Sequence, residues 1–593
     1  MKQLLTLLPY LRPYRRAVFF GLVLVVVSNV FAVWTPDLVG RAIDTLRQPG
    51  ATRAGLLRYA GLIVGVAVLG GIGRFGMRQL LNGYSRRVEN DLRHALFDHL
   101  MRLDAGFYGR SRTGDLMSRA TNDTQLVRMA VGPAVMYLVN TVVASVLTLA
   151  VMMRISPVLT GLSVVPLALL PPAMIFFGRR IHRQSEAIQE HFGTLSTLAQ
   201  ENLAGVRIVR AYRQEAQQAE EFDALNREYL ARNMALAHTS GVFSPLLTFL
   251  AGLGAVIVVW VGGREAMAGR ISVGDFVEFA MYLAMLTWPM IALGWVINLF
   301  QRGAASVGRL NAILGTPPAI QGPATPARPA VLRGEIEFRD VTFRYPGTER
   351  DVLHHVSFRV PAGQTAALVG PTGSGKSTVA ALIDRLHDPT GGTVLLDGVP
   401  LPEFSLEQLR GAIGVVPQEA FVFSESIAEN IAFGLPPGAS RERAVKEAAR
   451  VAQLDETVSA FPAGYATRLG ERGVNLSGGQ RQRTTLARAI ARDPRVLILD
   501  DALSAVDTHT ETRILQGLRR VLKDRTALIV SHRVTAVMNA DLILVMEDGR
   551  IVERGTHAEL LARKGLYATL LRRQILEEGL DEGEPLAAAS GEV

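Results

Sequence analysis

The sequence contains no cysteine and very little lysine. Without a thiol in its 593 residues, the chain cannot form a disulfide, a zinc–thiolate centre or a cysteine nucleophile. Charged residues make up only 20% of the chain, whereas hydrophobic residues make up 49%. This balance is unusual for a soluble protein. The lysines are Lys2, Lys376, Lys446, Lys523 and Lys564.

Arginine therefore supplies nearly all of the positive charge. A formal net charge of +9 at pH 7 is typical either of a nucleic-acid-binding protein or of arginines that flank membrane helices on the cytoplasmic side. The mean hydropathy of +0.22 favours the second interpretation. We expect membrane lipids, and no nucleic acid, among the partners.

Six apolar segments are long enough to cross a membrane, which takes about 20 residues. Arginine-rich stretches with helical periodicity follow the second and fourth segments and indicate helices that continue into the cytoplasm. Arg12, Arg15 and Arg16 precede the first segment and predict a cytoplasmic N-terminus. Six crossings then return the rest of the chain to the cytoplasm. The segments cover about 18–38, 59–80, 133–153, 157–177, 243–260 and 276–300.

The second half alternates short β-like runs with helical stretches, which is typical of an α/β nucleotide-binding domain. We predict a multidomain chain with an all-α, six-helix membrane domain over residues 1–310 and a proline-rich linker over 311–333. An α/β P-loop domain follows over 334–576, and a disordered tail over 577–593. The predicted strands are 336–338, 365–369, 394–396, 496–499 and 527–530.

Residues 370–378 match the G-x-x-x-x-G-K-S pattern of a Walker A phosphate-binding loop. An apolar run precedes the loop and a helical pattern follows it, as the motif requires. The glycines let backbone N–H groups turn toward phosphate oxygens, and the helix N-terminus adds partial positive charge. We expect the lysine to reach the β- and γ-phosphates and the first hydroxyl to hold Mg²⁺. The predicted ATP-binding residues are Gly370, Gly373, Ser374, Gly375, Lys376, Ser377 and Thr378.

Two further motifs follow downstream. Residues 496–500 form an apolar strand that ends in Asp500, a Walker B pattern whose carboxylate can hold Mg²⁺ through water. Residues 476–480, Leu-Ser-Gly-Gly-Gln, place small residues before a helix and predict a second anion-binding helix N-terminus.

These motifs, in this order, resemble the ATP-binding cassette (ABC) transporters, and the membrane-first arrangement resembles an exporter half-transporter. The resemblance covers the chain to about residue 575. It implies an all-α exporter domain followed by an ATP-binding cassette domain, with ATP and Mg²⁺ as cofactors. The segments 112–119 and 206–215 resemble the two coupling helices of exporters, and 467–473 resembles the loop before the signature.

The resemblance also implies the roles of single residues. Tyr345 would stack on adenine, Gln418 would sense Mg²⁺ and the attacking water, and His532 would lie at the γ-phosphate. Asp507 belongs to the D-loop. The Mg²⁺ residues would be Ser377, Gln418 and Asp500, and the signature residues that contact ATP would be Ser477, Gly478, Gly479 and Gln480.

One position departs from the family pattern. The residue after Walker B is a glutamate in the family, the presumed general base, but here it is Asp501. Both side chains are carboxylates of similar pKa, but aspartate is shorter by one methylene. We therefore expect catalytic roles for Asp501, His532 and Gln418, with slow hydrolysis at this chain's own Walker site.

The resemblance implies that each ATP site combines the Walker motifs of one chain with the signature of the other chain. An impaired Walker site beside an intact signature therefore favours a heterodimer with a second half-transporter that carries the glutamate. The chain thus resembles the degenerate-Walker-B subunit of heterodimeric bacterial multidrug exporters. A homodimer that tolerates aspartate, such as a homodimeric lipid flippase, remains an alternative. So does an ATP-gated channel or channel regulator.

We expect ATP-driven export of amphipathic drugs, lipids or peptides across the inner membrane. Ionisable groups inside membrane segments are expensive and mostly functional, so Glu278 is the first candidate for contact with cationic cargo. A carboxylate used only for helix packing is the alternative. The intramembrane candidates are Asn29, Tyr137, Asn140, Glu278, Trp288, Trp295 and Asn298.

Overall fold

The computed structural model describes residues 2–48, 52–327, 332–438 and 441–581. The chain forms two compact units. The first unit comprises Met1–Met101 and Thr113–Thr316, and the second comprises Arg102–Arg112 and Pro317–Val593. The last boundary between the units, between Thr316 and Pro317, falls inside the proline-rich stretch at 311–333.

The first unit contains six helices that are long and apolar enough to cross a membrane within the described residues. This confirms the six-helix membrane domain. The second span has 48 residues, or about 72 Å at 1.5 Å per residue, more than twice the ~30 Å hydrocarbon core of a bilayer. The spans are Gln3–Arg47, Arg53–Leu100, Thr113–Ile155, Pro157–Ala204, Glu215–Met267 and Val273–Leu314.

Local sequence signals fix the ends of these helices. The Thr52 side chain accepts a hydrogen bond from the backbone N–H of Gly55, and Ser156 caps the fourth span in the same way. Ser272 and Asp275 form a reciprocal capping box at the start of the sixth span. The fourth span is interrupted at Leu169, three residues after Pro166. Proline removes a backbone donor there and explains the break.

The third and fifth spans contain short π-helical turns, and the fourth consists of two α-helices. The third span runs through Thr113–Ser118, Arg119–Asp123, Thr124–Met129, Ala130–Ala134 and Val135–Ile155. The fourth consists of Pro157–Ala168 and Leu170–Ala204, and the fifth of Glu215–Ile257, Val258–Gly262 and Gly263–Met267. Lys2–Leu7, Leu8–Leu11 and Arg12–Tyr14 precede the helix Arg15–Arg47.

The second unit is an α/β domain with two sheets, as predicted. The larger sheet has the strand order β10-β9-β3-β8-β7-β6, and the smaller has the order β2-β1-β4-β5. In the larger sheet β3 runs parallel to β8 and β9, and β7 runs parallel to β6 and β8. The strands are β1 Ile336–Phe343, β2 Leu353–Val360, β3 Thr365–Val369, β4 Gly391–Leu396, β5 Val399–Pro400, β6 Ile413–Val416, β7 Val496–Asp500, β8 Thr526–Val530, β9 Leu542–Glu547 and β10 Arg550–Gly555.

Helices cover the larger sheet and bury its central strands, since every residue of β7 is buried. Buried side chains of both sheets, including Phe338, Leu368 and Ile498, pack into one hydrophobic core. The α-helices of this unit after residue 317 are Lys376–Ile383, Leu406–Ala412, Ile427–Ile431, Arg441–Val451, Asp455–Ser459, Gly478–Ala491, Thr508–Leu522, His557–Arg563 and Leu566–Asp581.

The segment between the second and third spans differs from the expectation. The segment that belongs to the second unit is Arg102–Arg112, with a short helix at Ala105–Arg110, whereas Thr113 begins the third span. Asp104 accepts a hydrogen bond from the Ala319 backbone N–H at 3.3 Å. The predicted coupling segment at 112–119 overlaps Arg102–Arg112 only at Arg112, and its coupling role stays a prediction. At 206–215 the structure has the short helix Val206–Ala211.

The last helix runs to Asp581, five residues beyond Leu576. The rest of the predicted tail, residues 582–593, lies outside the described residues. The sixth span ends at Leu314, so the predicted linker begins with the last turn of that helix. Its residues 328–331 also lie outside the described ranges.

Candidate functional site

The parallel strands of the larger sheet bring the predicted ATP-binding residues to one edge. The loops after β3, β8 and β6 carry the Walker A residues, His532 and Gln418, respectively, while Asp500 ends β7 and Asp501 follows it. These four strands are neighbours in the sheet and parallel, so their carboxyl ends meet on one side. Ligands of open α/β sheets bind at this edge.

The glycines of the Walker A loop are there because no side chain fits. Gly370, Gly373 and Gly375 have φ angles of +151°, +84° and +96°, which side chains disfavour. A β-carbon at Gly370 would also lie 2.1 Å from the carbonyl oxygen of Met546. The loop can therefore bend tightly and present its backbone to phosphate at the start of the helix Lys376–Ile383.

The Lys376 ammonium is buried within this loop, with only 4% of the residue exposed. It donates to the carbonyl oxygens of Gly370 at 2.8 Å and Pro371 at 2.7 Å. Burial lowers the pKa of Lys376 to about 8, although the nearby charges of Asp501 and Asp500 oppose this shift. The loop carbonyls thus hold the lysine at the position where it would meet phosphate.

Asp500 lies at the end of β7, directly opposite the Walker A helix. Its Oδ1 accepts a hydrogen bond from the Ser377 hydroxyl at 3.0 Å. Burial raises the pKa of Asp500, the hydrogen bond from Ser377 lowers it, and the neighbouring Asp501 raises it further. A hydroxyl and a carboxylate side by side form an oxygen donor set that suits Mg²⁺.

Asp501 occupies an unusual backbone position for a residue with a side chain. Its φ angle is +47°, a left-handed conformation that aspartate and asparagine tolerate better than most residues. Its backbone N–H donates to the Val530 carbonyl oxygen at 2.9 Å, which ties it to the end of β8. This hydrogen bond restrains the backbone of Asp501, so the length of the side chain limits how far the carboxylate can reach.

Tyr345 lies beside the Walker A helix. Its hydroxyl is 3.1 Å from Thr378 Oγ1, and its ring meets those of Phe343 and His387 edge-on, with centroids 4.9 and 5.4 Å away. The ring is half-buried, and these contacts hold it next to the phosphate loop. An aromatic ring in this position can stack on a nucleotide base.

Gln418 and His532 are both exposed and follow β6 and β8. His532 is close enough to Asp500 to lower the pKa of that carboxyl. Asp507 has a defined structural contact, because its side chain caps the helix Thr508–Leu522 by accepting from the Thr510 backbone N–H at 2.9 Å.

The signature turn at 476–480 forms the second helix N-terminus that the sequence predicts. Ser477 caps the helix Gly478–Ala491 in a capping box, since its hydroxyl accepts from Gln480 N at 3.2 Å and Gln480 Oε1 accepts from Ser477 N at 2.9 Å. Among the hydrogen bonds of the described residues, none joins this turn to residues 370–378. Ser477 is exposed.

Gln482 connects the signature helix with the segment after Walker B. Its Nε2 donates to Ser504 Oγ at 2.9 Å, and its Oε1 accepts from the Ala505 backbone N–H at 2.9 Å. Ser504 Oγ in turn donates to the carbonyl oxygen of Asp501 at 3.0 Å. Nothing in the sequence pattern assigns this glutamine a role. Only its burial, with 6% of the residue exposed, distinguishes it from a surface residue.

Four of the seven intramembrane candidates form two pairs. Asn29 donates to Asn140 Oδ1 at 2.9 Å, and the rings of Tyr137 and Trp295 meet edge-on at 5.1 Å. Glu278 is buried against the first span, where a β-carbon at Gly40 would lie 2.8 Å from its Oε2. This position agrees with the helix-packing alternative for Glu278. Trp288 and Asn298 are exposed.

Comparison with known proteins identifies both halves of the chain. Residues 18–290 match the family model of the ABC transporter transmembrane region, and residues 353–504 match the ABC transporter model. The probable multidrug resistance ABC transporter ATP-binding/permease protein YheI of Bacillus subtilis is 38% identical over 566 residues, which cover 94% of this chain and 96% of that protein.

Two further similarities extend over nearly the whole chain. The ATP-dependent lipid A-core flippase of Chromohalobacter salexigens is 35% identical over 572 residues, which cover 96% of this chain and 98% of the flippase. A solved structure of a bacterial Atm1-family ABC exporter with ATP bound has a TM-score of 0.75 at 28% identity, covering 94% of this chain and 99% of the other. The chain therefore belongs to the ABC transporter family, as an exporter half-transporter whose cytoplasmic ATPase domain couples ATP hydrolysis to transport across the membrane.

Proposed function

We propose that this chain is one half of a heterodimeric exporter and that its own Walker site hydrolyses ATP slowly. The partner is a second half-transporter with a glutamate after Walker B. The exported compounds are amphipathic drugs, lipids or peptides. The observation that carries the proposal is Asp501, a short carboxylate on a fixed backbone.

The reach of Asp501 is the basis for slow hydrolysis. The hydrogen bond from Asp501 N to Val530 O holds the backbone at the end of the sheet. Aspartate lacks one methylene of glutamate, and a misplacement of about 1 Å can cost roughly a hundredfold in rate. Binding does not depend on this carboxylate, since Lys376 and the loop backbone contact the phosphates.

The signature turn supports the assignment of a second chain. Its serine is exposed, and its helix is well capped by side chains of this chain. A preformed helix N-terminus that has no hydrogen bond to residues 370–378, among those the structure describes, is suited to an ATP bound by another subunit. An intact signature here would complete a competent site on the partner.

Ser377 and Asp500 are the residues that would hold Mg²⁺, with Gln418 as a third candidate. When bound, the ion would neutralise charge on the phosphates. Lys376 and the helix N-terminus would orient the same phosphates, and His532 would lie near the γ-phosphate. Tyr345 would position the base.

The names of two relatives support an amphipathic cargo. YheI is named as a probable multidrug resistance transporter, and the Chromohalobacter protein is named as a lipid A-core flippase. The second name supports a lipid flippase as the alternative function, and in the homodimeric form of that alternative this chain would supply both ATP sites.

The test is the ATPase rate of the purified chain with and without a glutamate-bearing partner. We expect weak activity alone and a strong increase on adding the partner; equally high activity alone would support the homodimer. In the purified chain, Asp501→Glu should raise turnover by about 10- to 100-fold, whereas Asp501→Asn should remove the residual rate. An unchanged rate for Asp501→Glu would show that reach does not limit hydrolysis.

A recording of single-channel currents in lipid bilayers separates a pump from an ATP-gated channel. A pump passes no sustained current in the presence of ATP. Sustained openings that depend on ATP would support the channel alternative instead.

A further inference from the structure

The N-terminal segment borders an open cavity to which the proposed function assigns no role. It has a volume of about 570 Å³. Its walls come from the short helices that precede the helix Arg15–Arg47, from that helix itself, and from the second, third and sixth spans. This volume falls within the range of about 300–1,000 Å³ of small-molecule sites. All of its lining residues belong to the membrane unit.

The interior of the cavity is apolar. Leu8, Val18, Leu22 and Phe300 contribute to its wall. The hydroxyl of Tyr84 also lines it, but it donates to the carbonyl oxygen of Val131 in the π-helical turn Ala130–Ala134. That bond satisfies the polar atom inside, so the interior can accept a hydrocarbon chain without leaving a buried donor unpaired.

Two arginines supply the only charge on the lining in the described structure. Arg12 lies in the turn before the first span, and Arg15 begins the helix Arg15–Arg47. Both are exposed, and the described part of the chain gives neither of them an ion-pair partner. The carboxylate of Asp91 accepts a hydrogen bond from the hydroxyl of Tyr14, which lies between the two arginines in sequence, at 2.8 Å. Neither Tyr14 nor Asp91 lines the cavity.

The location of the cavity determines what can enter it. It lies at the cytoplasmic end of the first span, and the large side chain of Phe19 on its wall is 62% exposed toward the surrounding solvent or lipid. A phospholipid of the cytoplasmic leaflet presents an acyl chain and a phosphate at this depth. Anionic lipids are concentrated in that leaflet and attract arginines near the membrane surface.

We propose that this cavity binds one anionic phospholipid of the cytoplasmic leaflet, with an acyl chain among Leu8, Val18, Leu22 and Phe300 and the headgroup phosphate on Arg12 and Arg15. The lipid stays bound and is not the exported compound. It ties the N-terminal segment to the spans it contacts.

The test uses the full-length transporter, stripped of lipid in detergent and titrated with one lipid at a time, with bound lipid counted by native mass spectrometry. The two probes are palmitoyl-oleoyl phosphatidylglycerol and the matching phosphatidylcholine. We expect the first phosphatidylglycerol to bind about 30-fold more tightly than phosphatidylcholine, since each of the two surface arginines contributes about 1 kcal/mol to anionic lipid binding.

Three variants separate a built site from general surface attraction. Arg12→Gln with Arg15→Gln should abolish the preference for phosphatidylglycerol. Val18→Trp should fill the cavity and weaken binding of both lipids while both arginines remain. Arg47→Gln with Arg53→Gln removes the same charge from the other ends of the first two spans and should leave the first binding step unchanged.

The outcomes that overturn the proposal are equally specific. An unchanged preference in the double Arg12, Arg15 variant, or unweakened binding in Val18→Trp, would exclude the cavity as the site. Displacement of phosphatidylglycerol by glycerol phosphate alone would show an anion site without an acyl chain. If Val18→Trp does not fold, as judged by its melting temperature, Leu22→Phe provides the same test with a smaller side chain.

Discussion

The Walker A loop and the signature turn are both helix N-termini that can bind phosphate, but they are held in different ways. The first is enclosed: Lys376 is buried and bound to carbonyls of its own loop, and three glycines of that loop adopt positive φ angles. The second is exposed at Ser477, where a capping box holds the start of its helix, and Gln482 joins the same helix to Ala505. The enclosed turn is stabilised within one chain, and we propose that the exposed turn acts on a nucleotide held by a second chain.

The largest expected effect tests the exposed half of this comparison. Ser477→Ala removes the hydroxyl that both caps the helix and can face a γ-phosphate. We expect the ATPase rate of the assembled transporter to fall roughly a hundredfold, as when one donor to a transition state is lost. ATP binding at this chain's own Walker site, measured by nucleotide fluorescence, should not change.

A matched control exists in the same domain. Ser405 caps the helix Leu406–Ala412 in the same manner, with its hydroxyl 3.2 Å from Gln408 N. Ser405→Ala therefore removes a cap of the same kind without touching the signature. If both variants reduce the rate equally, the effect of Ser477 is one of helix stability alone.

The next effect tests the enclosed half. Lys376→Ala removes a charged donor from the phosphate loop and should weaken ATP binding by about 10- to 100-fold, as measured by equilibrium titration of the chain. Lys446→Ala is the control, since Lys446 is exposed and pairs with Glu442 at 2.7 Å. Unaltered affinity in Lys376→Ala would remove this lysine from its assigned role.

A smaller effect tests whether Gln482 couples the signature helix to the segment after Walker B. Gln482→Leu leaves the Ala505 N–H and Ser504 without their partner. We expect the transporter's ATPase rate to fall about three- to tenfold, the loss of one or two hydrogen bonds, with unchanged nucleotide binding. Gln482→Glu retains the acceptor for Ala505 N and should have an intermediate rate. Equal rates in all three proteins would show that this link is only structural.

The smallest effect is on pH dependence. Burial lowers the pKa of Lys376 to about 8, so the lysine loses its proton as pH rises through that value, whereas bound phosphate favours the charged form. ATP affinity should therefore fall a few-fold between about pH 7.5 and 9. Calorimetry in buffers of different ionisation enthalpy should detect proton uptake on binding near pH 8.5. The Lys376→Ala variant should lose both effects.

Much of the fold follows from sequence periodicity. Long apolar stretches and apolar runs before glycine-rich turns are unambiguous, so the six spans and the strand Thr365–Val369 were predictable. The strand Leu353–Val360 was not. It contains His354, His355 and Arg359 and has a mixed pattern, because one side of the strand is exposed.

The site was predictable where backbone geometry dictates residue type, and less so elsewhere. Glycines at positive φ and a lysine before a hydroxyl are required by the phosphate loop. The bridge from Gln482 to Ala505 depends on how two distant segments pack, and a glutamine in a helix gives no signal of that. The short helix at Ala105–Arg110 likewise has too few residues for a reliable period.

The second span, Arg53–Leu100, also has a mechanical consequence. It is one uninterrupted helix of 48 residues without an internal proline, and such a rod bends little. If its membrane end pivots by about 10°, a length of about 72 Å carries the opposite end through roughly 12 Å. A small rotation of the helix within the membrane thereby becomes a large displacement of its opposite end. Conversely, a displacement of several ångströms at that opposite end rotates the membrane part of the helix by only a few degrees.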